Sequence, residues 1–387
     1  MQKSLSISWR RKLRYCKKCV LPDSRPNLTV NDDGICTACM SSNEKPKVDW
    51  VNREAMFQDL VDEVKEQKRN YDCVIPVSGG KDSTWQVVKA LEYGLKPICV
   101  TWRTPARNGL GQKNLDNLIS LGVDHLDFSV NPKLERKFTL KAFERFGSPV
   151  IPMHMAIHAL PMQLAIEKNI PLILWGENSA VEYGGDDEKL KGMEITRSWL
   201  MQYGVTHGTT AQDWVGNDIS MSELAPYHWP EEAELRAKNV RAVFLGQYFS
   251  WDPKLTAKFV SEHGFQAASD AVVGIFDFAD VDDAFLMSVH HWLKWYKFGF
   301  TRTWDNLSLE IRAGRMTRTE AIEHLKALGD ETPHKEIEMF CEYTCITRNR
   351  FFEIAEKFRN LNIWEKRKGT WQIPNFLFGD KVWIDEN

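Results

Sequence analysis

The sequence predicts an α/β protein built on a parallel sheet, with a cysteine-rich ribbon ahead of it and a mostly helical region behind it. Three observations lead there. Short apolar runs at 71–77, 96–102, 123–130 and 170–176 alternate with stretches of helical period, the order in which strands pair in parallel beneath covering helices. Two Cys-x-x-Cys pairs, 16-CKKC-19 and 36-CTAC-39, precede the first run, and from about residue 280 the texture turns to helical stretches rich in aromatic and basic residues. With 387 residues the chain exceeds the roughly 250 that one core usually organises. The expected division is a ribbon over 1–50, an α/β domain over 51–280 and a helical substrate or partner domain over 281–387. The border between 250 and 285 is the least marked.

The ribbon comes first. Sixteen residues separate the two cysteine pairs, and the insert 20-VLPDSRPNLTVNDDGI-35 carries the Pro, Asn, Asp and Gly of a looped hairpin. Each pair suits a knuckle that aims two thiolates at one ion, so Cys16, Cys19, Cys36 and Cys39 are expected to hold a structural zinc. An iron–sulfur cluster is the other metal reading; two disulfides would need an oxidising compartment. Because protein ligands fill all four positions, the metal should fold the ribbon and leave no place for a substrate. Cys73, Cys99, Cys341 and Cys345 sit in apolar or helical contexts and are expected to be buried packing residues.

The alternation begins after the ribbon. Met56, Phe57, Leu60, Val61 and Val64 give 53–70 a helical period, 71–77 reads as a buried strand, and 83–94 as a helix closed by Gly94. Strand 96–102, helix 112–122, strand 123–130, a helix around 154–169 and strand 170–176 follow. In such sheets ligands lie at the carboxyl ends of strands. That selects the loops after Val77, after Val100 and over 176-GENSAVEYGGDD-187. Helices are expected again at 290–304, 317–329 and 335–343.

Composition excludes some classes. Hydrophobic residues make up 43% and charged residues 27%, and the formal charge is −3, ordinary for a globular enzyme and wrong for a surface built wholly around nucleic acid. The basic N-terminus MQKSLSISWRRKLRYC has no apolar core of signal-peptide length, and no later run approaches the roughly 18 apolar residues of a membrane span. A cytoplasmic chain with no membrane contact is expected.

The first loop carries the chemistry. Ser78-Gly79-Gly80-Lys81-Asp82-Ser83-Thr84 is not a Walker A loop, which would place glycine at Ile75 and a hydroxyl at Asp82. Two glycines let backbone N–H groups approach an anion, and the helix that follows adds its positive end. Ser78, Ser83 and Thr84 offer hydroxyls and Lys81 a charge. Asp82 tolerates phosphate only across a cation, so Mg²⁺ is the expected companion. The plain alternative is a glycine turn with an exposed lysine.

These seven residues resemble the SGGxDS loop of the N-type ATP pyrophosphatases, which include GMP, asparagine and argininosuccinate synthetases and tRNA thiolases. The resemblance implies a PP-loop, adenine-nucleotide-hydrolase-like (HUP-type) core and cleavage of ATP between its α- and β-phosphates. A substrate oxygen would take the adenylyl group, and a nitrogen or sulfur nucleophile would then displace AMP. The ribbon, the SGGKDST loop, 176-GENSAVEYGG-185 and 297-KFGFTRTWDNLSLEIRAGRMTRTEAI-322 together look like the N-acetyl sugar amidotransferases of bacterial surface-polysaccharide (O-antigen, lipopolysaccharide) synthesis. That family implies conversion of an acetamido sugar to an acetamidino sugar. Ammonia would come from a HisH-like glutaminase, with or without a HisF-like subunit, since no glutaminase motif is present in this sequence.

By position, the resemblance assigns Ser78 to Thr84, Thr101, Trp102 and Gly176 to the nucleotide. Lys81, Asp82 and Glu177 take the catalytic roles. Asn178, Glu182, Tyr183 and Gly184, with Lys297, Arg302, Arg312 and Arg315, are the residues implied for an anionic or nucleotide-linked sugar. Trp292, Trp295 and Trp304 read as core, and His154 and His158, which share a helical face, read as packing for want of a third ligand. The competing functions are a tRNA thiolase, which would need reactive cysteines near the loop, and a non-catalytic ATP-gated scaffold for a glutaminase.

Overall fold

In the computed structural model, which describes residues 12–185 and 187–379, five parallel strands form one sheet in the order β3-β2-β1-β4-β5. They are β1 (Cys73–Pro76), β2 (Pro97–Trp102), β3 (Asp124–Phe128), β4 (Leu172–Trp175) and β5 (Arg241–Phe244). Val74 of β1 pairs with Ile98 on one side and Ile173 on the other. The chain therefore steps outward from β1 to β3, returns across the centre, and adds β4 and β5 on the far side. That reversal opens a crevice between the carboxyl ends of β1 and β4, the place where sheets of this kind receive ligands.

Side chains alternate along the strands and so build two layers of core. Val74, Ile98, Val100 and Ile173 pack under the Pro132–Phe146 and Ile151–Lys168 helices. Cys73, Ile75, Cys99, Leu172, Leu174 and Val243 pack under the Trp50–Glu66, Lys81–Glu92, Gly109–Ser120 and Pro253–Ser261 helices. A third core joins the ribbon to the helical C-terminal region, with Cys16, Cys19, Val20 and Leu21 packed among Phe285, Val289, Trp295, Phe340 and Trp364. Trp292, Trp295 and Trp304 all lie in this core. Arg318 donates to the carbonyl oxygens of Cys16 and Cys19 at 3.2 and 2.9 Å, fastening the first knuckle to the Arg318–Ala327 helix.

Several expectations need correction. The Pro132–Phe146 helix, β5 and the Pro253–Ser261 helix were not expected. The stretch expected as one helix over 290–304 is two, Leu286–Phe298 and Arg302–Arg312, because Gly299 ends the first at φ +71°, a conformation that favours glycine. Cys345 is exposed rather than packed: it ends the His334–Thr344 helix with φ +58° and is turned to the surface. Cys73, Cys99 and Cys341 are buried. The first eleven residues, Asp186 and the last eight fall outside the described residues, and with them parts of the expected terminal regions and of the 176–187 loop. No described helix is long and apolar enough to cross a membrane.

Candidate nucleotide-binding site

β1 hands the chain to a turn that starts the Lys81–Glu92 helix with Gly80 as its N-cap. The turn folds on itself through its hydroxyls. Ser83 Oγ accepts from the N–H groups of Ser78 and Gly79 at 3.4 and 3.2 Å, and Ser78 Oγ accepts from Gly80 N–H at 3.1 Å. Gly79 has φ +91°, and a Cβ there would stand 2.7 Å from the backbone nitrogen of Leu115, so neither the conformation nor the space admits a side chain. Thr84, expected among the phosphate donors, is buried and donates to Gly80 O at 3.1 Å. It braces the turn from beneath.

Lys81 and Asp82 are in contact. Lys81 Nζ also lies 5.4 Å from the ring centre of Trp251 and 5.7 Å from that of Phe278, within cation–π range. Trp251 Nε1 donates to the other oxygen of Asp82 at 3.0 Å. The aromatic pair thus holds the cation and the carboxylate in one fixed arrangement.

A cleft of about 390 Å³ opens above the turn, a size typical of small-molecule sites. Ser78, Asp82, Ser83, Glu177, Asp280 and Asp282 line its polar end, and His154, His158, Trp175, Trp199 and Tyr203 its aromatic end. Thr101, Trp102 and Gly176 line it as well. Thr101 Oγ1 donates to Val77 O at 2.7 Å and meets His125 Nε2 at 2.8 Å, so its hydroxyl ties the ends of β1 and β2 together. His154 and His158 line the cleft rather than packing away from it. Their Nδ1 atoms donate to Val150 O and His154 O at 2.9 and 2.7 Å, which leaves each Nε2 as an acceptor. His158 stacks on Trp175 at 4.7 Å.

Carboxyl groups gather at the polar end. Burial, with the charge of Asp82 outweighing that of Lys81, pushes the Glu177 carboxyl up to about 7. Burial likewise raises Asp282 to about 6, next to Asp280 and against the Ser78 hydroxyl, and Asp283 to about 7. Asp283 also accepts from the N–H groups of Phe285 and Met287 at 3.0 Å each, which caps the following helix. A carboxyl raised from 4.5 to 7 favours the fold below about pH 4.5, and this contribution is lost as pH rises through 7. Glu177→Gln is therefore expected to raise stability by about 2 kcal/mol at pH 8 and hardly at all at pH 4.5. Denaturant titrations of both proteins at the two pH values check this; an equal difference at both would contradict it.

The residues implied for the sugar divide. Asn178 donates to Leu190 O and Gly192 O and accepts from Ala180 N–H and Trp199 Nε1, all at 2.9–3.1 Å. Every polar position of its amide is occupied, so it shapes the loop. Glu182 pairs with Lys45 at 2.6 Å, and Tyr183 lies under the Arg25 guanidinium at 5.3 Å. Lys297 donates to Gly147 O at 2.8 Å, and burial next to Lys294 lowers it to about 7. Trp251, Phe278, Gln86, Asp280, Asp282 and Asp283 escaped the sequence reading. The stretch 276-FDFADVDDA-284, four aspartates among aromatic and aliphatic residues, carried a signal for the last three.

The ribbon cysteines converge. All four Sγ atoms lie within 4.8 Å of one another, with Cys16–Cys39 at 3.9 Å and Cys19–Cys36 at 3.7 Å. A tetrahedron with metal–sulfur bonds of about 2.3 Å has edges of about 3.8 Å, so the four thiols fit a metal ion. Cys16 Sγ also accepts from the N–H groups of Cys19 and Cys36 at 3.4 and 3.3 Å, the outer hydrogen bonds that orient such ligands. The ribbon in turn touches the loop after β4. Thr37 Oγ1 donates to Gly184 O at 2.6 Å and Arg25 to Tyr183 O at 3.1 Å. Cys73 and Cys99 are buried and their thiols are raised, which makes them poor nucleophiles.

A protein-family profile described as "LPS biosynthesis protein WbpG-like, C-terminal domain" matches residues 264–377. The match starts ahead of the expected border at 281, takes in the acidic stretch, and supports the resemblance drawn from the sequence. No curated protein matches the chain. Among solved structures it is similar to NMN synthetase from Francisella tularensis, with 12% identity, 80% of this chain and 96% of that one covered, and a TM-score of 0.35. It is also similar to a predicted subunit of tRNA methyltransferase from Methanocaldococcus jannaschii DSM (17%, 62% and 92%, 0.28) and to NAD+ synthetase from Burkholderia pseudomallei (11%, 59% and 91%, 0.27). Likenesses this distant carry no functional argument, and the fold rests on the strand order given above.

Proposed function

With residues 264–377 matching the C-terminal domain of WbpG-like lipopolysaccharide biosynthesis proteins, we propose that the chain is an ATP-dependent amidotransferase acting on an N-acetylated sugar in surface-glycan synthesis. The single observation that carries this reading is the SGGKDST turn itself, set at the switch point of the sheet with Lys81 and Asp82 fixed by Trp251 and with Glu177 across the crevice.

An amide oxygen leaves too poorly for direct exchange, so the reaction needs activation first. The acetamido oxygen attacks the α-phosphorus, the bond to the β-phosphate oxygen breaks, and pyrophosphate departs along the turn. The N–H groups that open the Lys81–Glu92 helix and the Lys81 side chain meet the charge that develops on the leaving group. Ammonia then adds to the imidate carbon, a proton passes from its nitrogen to Glu177, and AMP leaves with the former acetamido oxygen. A carboxyl near 7 suits that proton transfer at neutral pH. Mg²⁺, held by Asp82, would screen the phosphate charges. We assign zinc to the Cys16–Cys19–Cys36–Cys39 set. Ammonia is supplied by a separate HisH-like glutaminase, with a HisF-like subunit as a further candidate partner.

Pyrophosphate release measured with ammonium plus a diacetamido nucleotide sugar, with tRNA plus a sulfur donor, or with ammonium alone tests the proposal. Release only with the sugar is expected. Release with tRNA and a sulfur donor would reassign the chain to RNA thiolation, and the absence of release in every mixture would leave the chain a scaffold.

A further inference from the structure

The aromatic end of the cleft takes no part in the phosphate chemistry, yet its rings form one contiguous wall. His158 stacks on Trp175 at 4.7 Å with 17° between the planes and lies 5.9 Å from Trp199, which in turn meets Phe244 at 5.0 Å. These four line the cleft together with His154. Burial lowers His154 to about 4 and His158 to about 3, so both imidazoles are neutral at pH 7 and the wall carries no charge.

The tautomer of each ring is fixed. Because each Nδ1 proton goes to a helix carbonyl oxygen, Val150 O or His154 O, each Nε2 is a lone-pair acceptor. Neither Nε2 has a hydrogen-bond partner among the described residues, and neither is enclosed by them. Four positions apart on one helix, the two acceptors share a face and stand about 6 Å apart along its axis. Pro161 lies inside the same helix and has no N–H for the carbonyl of Ile157; both residues line the cleft. The indole donors do not answer these acceptors. Trp199 Nε1 is committed to Asn178 at 3.0 Å, and Trp175 Nε1 is enclosed. A ligand seated on this wall must therefore bring donors of its own.

That need separates the two molecules the cleft has to hold. Adenine presents a single amino group, and its ring nitrogens would set lone pairs against those of the imidazoles. An N-acetylated pyranose presents an amide N–H and several hydroxyls on separate atoms, around an uncharged ring that suits an aromatic wall. The wall also runs into the loop that carries Glu177, which follows Trp175 by two residues at the end of β4. We infer that His154 and His158 bind the ring of the acceptor substrate by accepting hydrogen bonds from its hydroxyl or acetamido N–H groups. That the acceptor is a sugar rests on the proposed function.

The test uses the full chain and the variants H154F, H158F, H154Q and H158Q. Phenylalanine keeps a ring in the wall but has no acceptor, whereas the glutamine amide returns an oxygen near the place of Nε2. Isothermal titration reads the binding of UDP-N-acetylglucosamine, UDP, N-acetylneuraminate and Mg·ATP, and calorimetric melting reports the fold; each position is read separately, so the result stands if one variant fails to fold. At least one of the two sugars should bind the phenylalanine variants about tenfold more weakly, with UDP and Mg·ATP held within about twofold. The glutamine variants should recover most of that loss, which a merely structural role would not produce. Sugar affinity within about twofold of the wild type in every variant, loss for Mg·ATP alone, equal loss for all four probes, or no sugar binding by the wild type would overturn the inference. Binding needs no turnover: a chain that holds the sugar through these histidines yet releases no pyrophosphate would refute the proposed reaction and leave this inference standing.

Discussion

Replacing Lys81 with methionine is expected to slow formation of AMP and pyrophosphate by about 10³-fold, near 4 kcal/mol of transition-state stabilisation. The size of the effect follows from the enclosure. Lys81 is only 8% exposed and sits against Asp82 between Trp251 and Phe278, so solvent cannot replace the lost charge. The methionine side chain fills the same slot, and Asp82 retains Trp251 as a hydrogen-bond partner, which keeps the turn folded. Lys81→Arg should not restore activity, since the planar guanidinium does not fit a slot shaped for a compact ammonium. Trp251→Phe removes one hydrogen bond to Asp82 and is expected to cost about tenfold, in line with roughly 1.4 kcal/mol for a bond to a charged group. Single-turnover measurement of AMP with saturating Mg·ATP checks both. A Lys81→Met protein as fast as the wild type would remove the turn from the chemistry.

The second large effect is expected at the ribbon. Cys19→Ser should reduce bound metal from about one ion per chain to almost none and unfold the segment around residues 12–44. Structural zinc contributes about 10–16 kcal/mol in small zinc modules, more than so short a segment can recover from its own apolar contacts. The damage should not stop there. Thr37, Arg25 and Lys45 hold Gly184, Tyr183 and Glu182 in place, and the cysteines share a core with the C-terminal helices. Turnover should fall at least about tenfold even though no cysteine of the set lines the cleft, while the two sheet layers, with cores of their own, keep their cooperative melting. Metal analysis, limited proteolysis and calorimetry on the same preparation separate these outcomes. A metal-free variant with intact proteolytic resistance and full activity would contradict the assignment.

Much of this was legible in local sequence. The apolar runs that became β1, β2 and β4, the glycines and hydroxyls after Val77, and the spacing of four cysteines are local signals. Other features were visible but passed over: Asn131 and Pro132 open the Pro132–Phe146 helix as cap and first residue, and Leu134, Phe138 and Ala142 give its buried face. What no local pattern supplied was tertiary. Trp251 reaches Asp82 across 169 positions, and Arg25 reaches Asp305 across 280. Asn178 is implied as a substrate ligand by the resemblance of 176-GENSAVEYGG-185. Only the carbonyl oxygens of Leu190 and Gly192 and the indole of Trp199 show that its capacity is filled. Arg302 carried the same sequence signal as Lys297, and a buried Nε without a hydrogen-bond partner among the described residues is what sets it apart.

The central claim is that the acetamido oxygen captures the adenylyl group. An acceptor sugar labelled with ¹⁸O in its acetamido group, turned over with Mg·ATP and ammonium, tests it in one mass spectrum. The expected result is one labelled oxygen in AMP and none in pyrophosphate. Label in orthophosphate with ADP as the nucleotide product, or product sugar formed with unlabelled AMP, would contradict it.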